Sequence, residues 1–249
     1  MKVQSLVKRW VKNRLNASGF QVLPNAPRQE FASDFTKEEI DVLRRVRPYS
    51  MVPNEGVVEL RRAAQHIAKH KIEGAIVECG VYRGGCMMAV AITLQELNEK
   101  RPLYLFDTFS GMPQSGENDR DFVGRDAETY RPDDNQWCYA KRDEVEQNML
   151  ATGYDMKLVH LVQGMVEDTI PGKAPEQIAL LRLDTDFYES TYHELVHLYP
   201  RLMPGGILII DDYGYWSGCR EAVDQYFSEH QLTCFKCRTT SSIRTIVKT

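Results

Sequence analysis

The stretch G-A-I-V-E-C-G-V-Y-R-G-G, from Gly74 to Gly85, opens as an apolar run and closes on a polar, glycine-rich turn. Its first part, Gly74 to Val81, reads as a buried strand, and the apolar residues that follow, from Gly85 to Lys100, read as a helix. The same alternation extends outward on both sides. Glu55 to Lys71 reads as a helix; strands are expected at Pro102 to Phe109, Lys157 to Gln163, Gln177 to Asp184 and Gly206 to Asp211. Further helices are expected at Asp143 to Ala151, Tyr188 to Leu202 and Cys219 to Glu229. Near-continuous apolar strands alternating with helices form a parallel sheet covered on both faces, so the expected fold class is doubly wound α/β. The last two strand-like runs, Thr233 to Arg238 and Ser242 to Val247, are too close for a helical crossover and should pair antiparallel.

A chain of 249 residues has room for one sizeable domain. We expect a helical N-terminal extension over residues 1–50, broken by Pro24, Pro27 and Pro48, and one domain over 51–249. Apolar content of 43% and charged content of 27% exclude disorder as the main state. The net charge of -4 and pI near 5.9 give no electrostatic footprint for nucleic acid. Six scattered cysteines fit a reducing cytoplasm. Cys234 and Cys237 form one C-x-x-C without the second ligand pair that a structural zinc site needs, and read as a strand with two thiols. Val3, Leu6, Val7, Trp10, Val11 and Leu15 have helical spacing opposite a basic face, which suits packing on the domain, a homo-oligomeric contact or a membrane surface. No apolar run reaches the roughly 18 residues of a membrane span, so no integral membrane segment is expected.

In such a sheet, ligands bind at the carboxyl ends of the strands. The first strand end carries Glu78, Gly80, Arg83, Gly84 and Gly85; glycines let the backbone approach a ligand, and the following helix points free N–H groups at an anion. A plain glycine turn would look similar. The second strand ends in Asp107, where a carboxylate can accept both hydroxyls of a ribose. The pair departs from the dinucleotide fingerprint G-x-G-x-x-G, and favours a nucleoside whose anionic group is a carboxylate, as in S-adenosylmethionine. Later strands end in Asp184 and in Asp211 and Asp212. Like charges so close either share protons or hold a cation, and an all-oxygen donor set suits Mg²⁺ or Ca²⁺. Asp184 or Asp212 could instead cap a helix. Asp186 is expected to cap the helix beginning near Tyr188.

Taken in order, V-E-C-G-V-Y-R-G-G, L-F-D-T-F-S-G-M-P, V-Q-G-M-V-E-D-T-I-P, L-R-L-D-T-D-F-Y-E-S-T and P-G-G-I-L-I-I-D-D-Y-G with G-C-R-E-A-V-D-Q-Y-F resemble the TylF/MycF family of sugar O-methyltransferases, typified by macrocin O-methyltransferase. The similarity spans about Arg47 to Phe227. It implies a class I methyltransferase fold: a Rossmann-like, mostly parallel seven-stranded sheet with a C-terminal antiparallel hairpin and helices on both faces. It also implies Mg²⁺-dependent methyl transfer from S-adenosylmethionine to a hydroxyl of a sugar-bearing or polyol small molecule. Carried over position by position, Glu78 and Gly80 would line the methionine moiety, with Arg83, Gly84 and Gly85 nearby. Asp107 would hold the ribose, Thr108 and Ser110 would lie beside it, and Gly164, Met165 and Val166 would flank the adenine. Ser50 and Met51 match a segment that closes over the cofactor, and Asp184, Asp211 and Asp212 match metal ligands. Asp184 is the expected general base.

The polar insert 111–141 is too long for a simple connection and is a candidate lid, with Tyr130, Trp137 and Tyr139 available to stack on an acceptor or to be buried. His160, His193 and His197 read as core or surface residues. Two other enzyme readings start from D-T-D: a metal-dependent glycosyltransferase, through D-x-D, and a haloacid dehalogenase-type phosphatase. Neither accounts for Glu78 to Gly85 together with Asp107. A nucleoside-binding module without chemistry is a further alternative.

Overall fold

Apolar runs of five or six residues, each too short and too uniformly buried for an amphipathic helix, form the centre of the sheet. The computed structural model describes residues 30–134 and 136–249. The expected helix over Val3 to Leu15, with Pro24 and Pro27, lies outside the described residues. The chain divides into two units, Met1–Asp34 and Phe35–Thr249, and the elements below belong to the second. In chain order they are α1 (Lys37–Val46), α2 (Asn54–Lys69), β1 (Ala75–Cys79), α3 (Gly85–Glu96), β2 (Leu103–Asp107), α4 (Arg142–Leu150), β3 (Val159–Gln163), α5 (Val166–Thr169), β4 (Ile178–Leu183), α6 (Tyr188–Leu198), β5 (Leu202–Ile210), α7 (Ser217–Glu229), β6 (Cys237–Arg238) and β7 (Arg244–Val247).

The sheet has seven strands in the order β3-β2-β1-β4-β5-β7-β6. The first five are parallel, and β7 runs antiparallel to both β5 and β6. The doubly wound reading and the terminal antiparallel hairpin both hold. β5 starts earlier than expected, at Leu202. Ile178 opposes Leu202 while Leu180 opposes Ile207, so the Pro204-Gly205-Gly206 segment bulges from the ladder, which hides its strand character in the sequence. At the edge, β6 keeps only Cys237–Arg238 of the expected run from Thr233.

Local chemistry fixes the helix starts. Thr36 and Glu39 form a reciprocal capping box on α1, with the Glu39 N–H donating to Thr36 Oγ1 (3.2 Å) and the Thr36 N–H to Glu39 Oε2 (2.8 Å). α3 is buried along nearly its whole length and starts from Gly84 at φ 82°; a β-carbon on Gly85 would press on the Tyr49 carbonyl. These two glycines let α3 begin directly against the segment Tyr49–Pro53. His160 stacks on Tyr104 at 4.4 Å on β3, and His193 Nε2 meets the Ile170 carbonyl at 3.0 Å, so both histidines have structural partners.

Candidate active site

Strand register brings the site together. Cys79 is level with Phe106 and Leu183, and Leu183 is level with Ile210, so the next residues, Gly80, Asp107, Asp184 and Asp211, share one row at the carboxyl edge. Backbone bonds continue that row: Gly80 N–H to Phe106 O (2.8 Å), Asp184 N–H to Cys79 O (2.9 Å) and Asp211 N–H to Leu183 O (3.0 Å). A cavity of about 600 Å³ lies above it, a size suited to a nucleoside cofactor and part of an acceptor.

Gly80 sits at φ 79°, and a β-carbon there would overlap the Asp184 carbonyl, so the glycine is required by close backbone approach. Asp107 fixes the turn above it. Its Oδ2 accepts from the N–H groups of Val81 (2.8 Å) and Tyr82 (3.1 Å), and its Oδ1 from that of Phe109 (2.7 Å). Tyr82 and Phe109 have φ of 50° and 53°, a conformation that needs such fixing. With about two lone pairs per oxygen, Oδ1 keeps one site for an incoming hydroxyl.

Of the expected cofactor residues, Ser50, Met51, Glu78, Gly80, Gly85, Asp107, Thr108, Gly164, Met165 and Val166 line the cavity, as do Asp184, Asp211 and Asp212. Arg83, Gly84 and Ser110 do not. The Arg83 guanidinium donates to Glu144 (2.5 Å) and to the Pro48 carbonyl (2.9 Å), which turns it outward; Gly84 is committed to the start of α3, and Ser110 is exposed. Tyr130 and Trp137 line the cavity and Tyr139 does not.

The residue that sequence reasoning missed is Arg182. It stands in β4 level with Glu78 of β1, and Asp184 lies two residues on along the same face. Nη1 donates to Glu78 Oε1 (2.6 Å) and Asp184 Oδ2 (2.6 Å), while Nη2 pairs with Asp211. The guanidinium is 3% exposed, so it is the counter-ion of a buried cluster. Glu78 Oε2 is buried with no hydrogen-bond partner among the described residues. Burial pushes the Glu78 carboxyl up to about 7, against the pull of Arg182. The available signal was an arginine inside an apolar strand, flanked by leucines.

The oxygens that converge are those of Asp184, Asp186 and Asp212, all within 4.8 Å of one another; Asp211 turns to Arg182 instead. Asp186 is therefore in the cluster and does not cap α6. The cap comes from Asp119 of the insert, whose Oδ1 accepts the Tyr188 N–H (2.9 Å) and whose Oδ2 accepts the Gly116 N–H (2.7 Å). Asp186 has φ 68°, which aims its side chain toward Asp212 and Trp216. Burial and the charges of Asp184 and Asp211 push its carboxyl up to about 7. Asp212 Oδ2 is buried and unpartnered among the described residues. Five carboxylates, Glu78, Asp184, Asp186, Asp211 and Asp212, thus meet one guanidinium, and hard oxygen donors with excess negative charge fit a divalent cation.

Aromatic rings wall the other side. Trp216 contacts Tyr130, Trp137, Phe187 and Tyr215 edge-on, with centroids 4.9–6.3 Å apart. The insert holds two of these rings by polar anchors, among them Tyr130 Oη donating to Asp121 and Arg131 Nη2 donating to Pro113 O (2.7 Å).

The family model described as Macrocin-O-methyltransferase (TylF) matches residues 9–236. The demethyldecarbamoylnovobiocin O-methyltransferase of Streptomyces niveus is 31% identical over 187 residues, 74% of this chain and 70% of its own. An 8-demethyl-8-(2,3-dimethoxy-alpha-L-rhamnosyl)-tetracenomycin-C 4'-O-methyltransferase of Streptomyces olivaceus is 33% identical over 186 residues, with coverage of 74% and 70%. Among solved structures, the O-methyltransferase NovP superposes with a TM-score of 0.73 at 26% identity, over 81% of this chain and 82% of that one. The calicheamicin methyltransferase CalS11 shares the fold, with a TM-score of 0.61 at 19% identity over 90% and 99% of the two chains.

Proposed function

The chain belongs to the macrocin O-methyltransferase family and is an O-methyltransferase, and from that premise we propose that it moves a methyl group from S-adenosylmethionine to a hydroxyl of a sugar on a small-molecule acceptor, with Mg²⁺ at the acidic cluster. The observation that carries this reading is the shared row of Gly80, Asp107, Asp184 and Asp211: one cavity joins a nucleoside-type turn to a cluster of carboxylates.

The glycine turn and Asp107 suit the nucleoside end, and the free Oε2 of Glu78 suits the methionine ammonium. Asp184 and Asp212, of the three converging carboxylates, would hold the cation, while Asp211 stays paired with Arg182. Bound there, Mg²⁺ would lower the pKa of an acceptor hydroxyl and fix its orientation. Arg182 holds Glu78, Asp184 and Asp211 at fixed spacing and balances part of their charge. Asp186 takes the proton at its carboxylate as the hydroxyl oxygen bonds to the methyl carbon and the methyl–sulfur bond breaks, its electron pair staying on the sulfur of S-adenosylhomocysteine. We assign it in place of Asp184 because Asp184 accepts a hydrogen bond from Arg182, whereas Asp186 makes no bond to Arg182 and faces Trp216. The rings of Tyr130, Trp137 and Trp216, which line the cavity with Phe187 packed behind them, would limit water at the reacting atoms.

Formation of S-adenosylhomocysteine from S-adenosylmethionine and a glycoside with vicinal hydroxyls tests the reading. Turnover should require Mg²⁺ and be lost in chelator. Asp186→Asn should lower kcat by about 10²- to 10⁴-fold while leaving cofactor affinity within about twofold. Undiminished kcat in the variant would remove Asp186 from the proton step, and equal turnover in chelator would remove the cation.

A further inference from the structure

Four cations gather at and beside Tyr213, at the end of β7 that pairs with Ile210 of β5. Arg220 (5.8 Å), Lys236 (5.2 Å) and Arg244 (5.1 Å) lie over the Tyr213 ring, and Arg238 stands close enough to Arg244 to repel it. Among the described residues, the one salt bridge these cations make is Lys236 to Asp224 (2.6 Å), and Asp224 also accepts from Tyr213 Oη (2.9 Å). The arginines bond backbone carbonyls instead: Arg220 Nε to Tyr213 O (3.1 Å), Arg238 Nε to Thr240 O (3.1 Å) and Arg244 Nη1 to Ile243 O (2.9 Å). Carbonyls and the ring face orient the guanidiniums without neutralising them. In a chain of net charge -4, Arg220 and Arg238 are exposed and Arg244 half-buried, and all three guanidiniums are positioned without a carboxylate partner among the described residues. Burial, with the charges of Arg238 and Arg220, holds Arg244 below the usual guanidinium range.

The patch is tied to the rim of the cavity. The link between β6 and β7 packs against two segments that line it. Ile243 meets Val52 at Gly56, where a β-carbon would lie 2.5 Å from Ile243 Cδ1 and 2.7 Å from Val52 Cγ1. On the other side the Gly214 N–H donates to Ser242 O (2.9 Å), next to Asp212 and Tyr215. The Thr240 and Ser242 hydroxyls, 3.3 Å apart, add small donors to the same link. This is the side of Asp212 and Trp216, away from the Asp107 turn.

We propose that Arg220, Arg238 and Arg244 form a phosphate-binding site at the acceptor side of the rim, and that the acceptor is a sugar bearing a phosphoryl group. The planar guanidinium fork matches phosphoryl oxygens in pairs, which a lysine cannot do. The inference rests on the methyltransferase reading and narrows its acceptor from sugars in general to phosphorylated ones.

Calorimetric titration at constant ionic strength, without Mg²⁺, tests it on the full chain saturated with S-adenosylhomocysteine. The probes are inorganic phosphate and glucose 1-phosphate. Both should bind the wild type, glucose 1-phosphate more tightly, and Arg238→Gln/Arg244→Gln should weaken both by about tenfold or more. A control with the same charge change at exposed, distant positions, Lys157→Gln/Lys173→Gln, should bind like the wild type. Equal loss in the control, or no phosphate binding by the wild type, would overturn the site. Equal affinity for the two probes would overturn its assignment to the acceptor and leave a site for free phosphate. Retained S-adenosylhomocysteine affinity in the arginine variant separates these outcomes from misfolding, and failure of the wild type to bind S-adenosylhomocysteine would count against the methyltransferase reading instead.

Discussion

Arg182 stands in an apolar strand between Leu181 and Leu183, a place where a guanidinium is tolerated only if its charge is matched. It is matched by three carboxylates from three strands or strand ends, so removing it leaves buried charges without a counter-ion. Arg182→Met should cost about 3–5 kcal/mol in urea unfolding. A loss below about 1 kcal/mol would show that water reaches the cluster and screens it. The places of Asp107, Asp184 and Asp212 around one cavity could be read from the ends of apolar runs, because a strand end needs only local pattern to locate. Arg182 and Asp186 could not. Their assignment depends on which partner sits across the sheet or on a distant loop, and the capping role given to Asp186 by proximity belongs to Asp119, which is remote in sequence but adjacent to Tyr188 in space.

At the level of elements, that same Asp119 ties the insert to α6. One carboxylate caps the helix and closes the Gly116 turn, and a β-carbon on Gly218 would collide with it, so α7 is packed against it as well. Asp119→Ala should cost about 1–2 kcal/mol, the usual effect of a lost cap. It should also make the insert more susceptible to limited proteolysis. Unchanged cleavage would mean that Asp121 and Arg131 hold the insert without Asp119. Element types were largely legible, since buried strands and helices differ in length and spacing. The bulge in β5 and the shortness of β6 were less so. Both are set by pairing geometry with β4 and β7, which a single segment does not encode.

For the whole molecule, crowding carboxylates into one cavity sets a pH dependence. Glu78 and Asp186 both titrate near 7 in the folded chain, above the ordinary carboxylate range of the unfolded one. Between those values the folded state holds protons that the unfolded state has released, so the ligand-free protein should lose stability as pH rises from about 4.5 to about 7. Thermal unfolding in chelator should therefore show a lower Tm at pH 7.5 than at pH 5.5, and Mg²⁺ should restore part of the difference. A flat profile would mean that these groups keep ordinary values. The central claim, a nucleoside cofactor held between the Gly80 turn and Asp107 beside the acidic cluster, is tested most directly by calorimetric titration of S-adenosylhomocysteine into the wild type and into Asp107→Asn. We predict one molecule bound per wild-type chain and an affinity at least about tenfold weaker in the variant, because loss of a charged acceptor weakens both the turn and the ribose contact. Equal affinity in the two proteins, or no binding by the wild type, would contradict it.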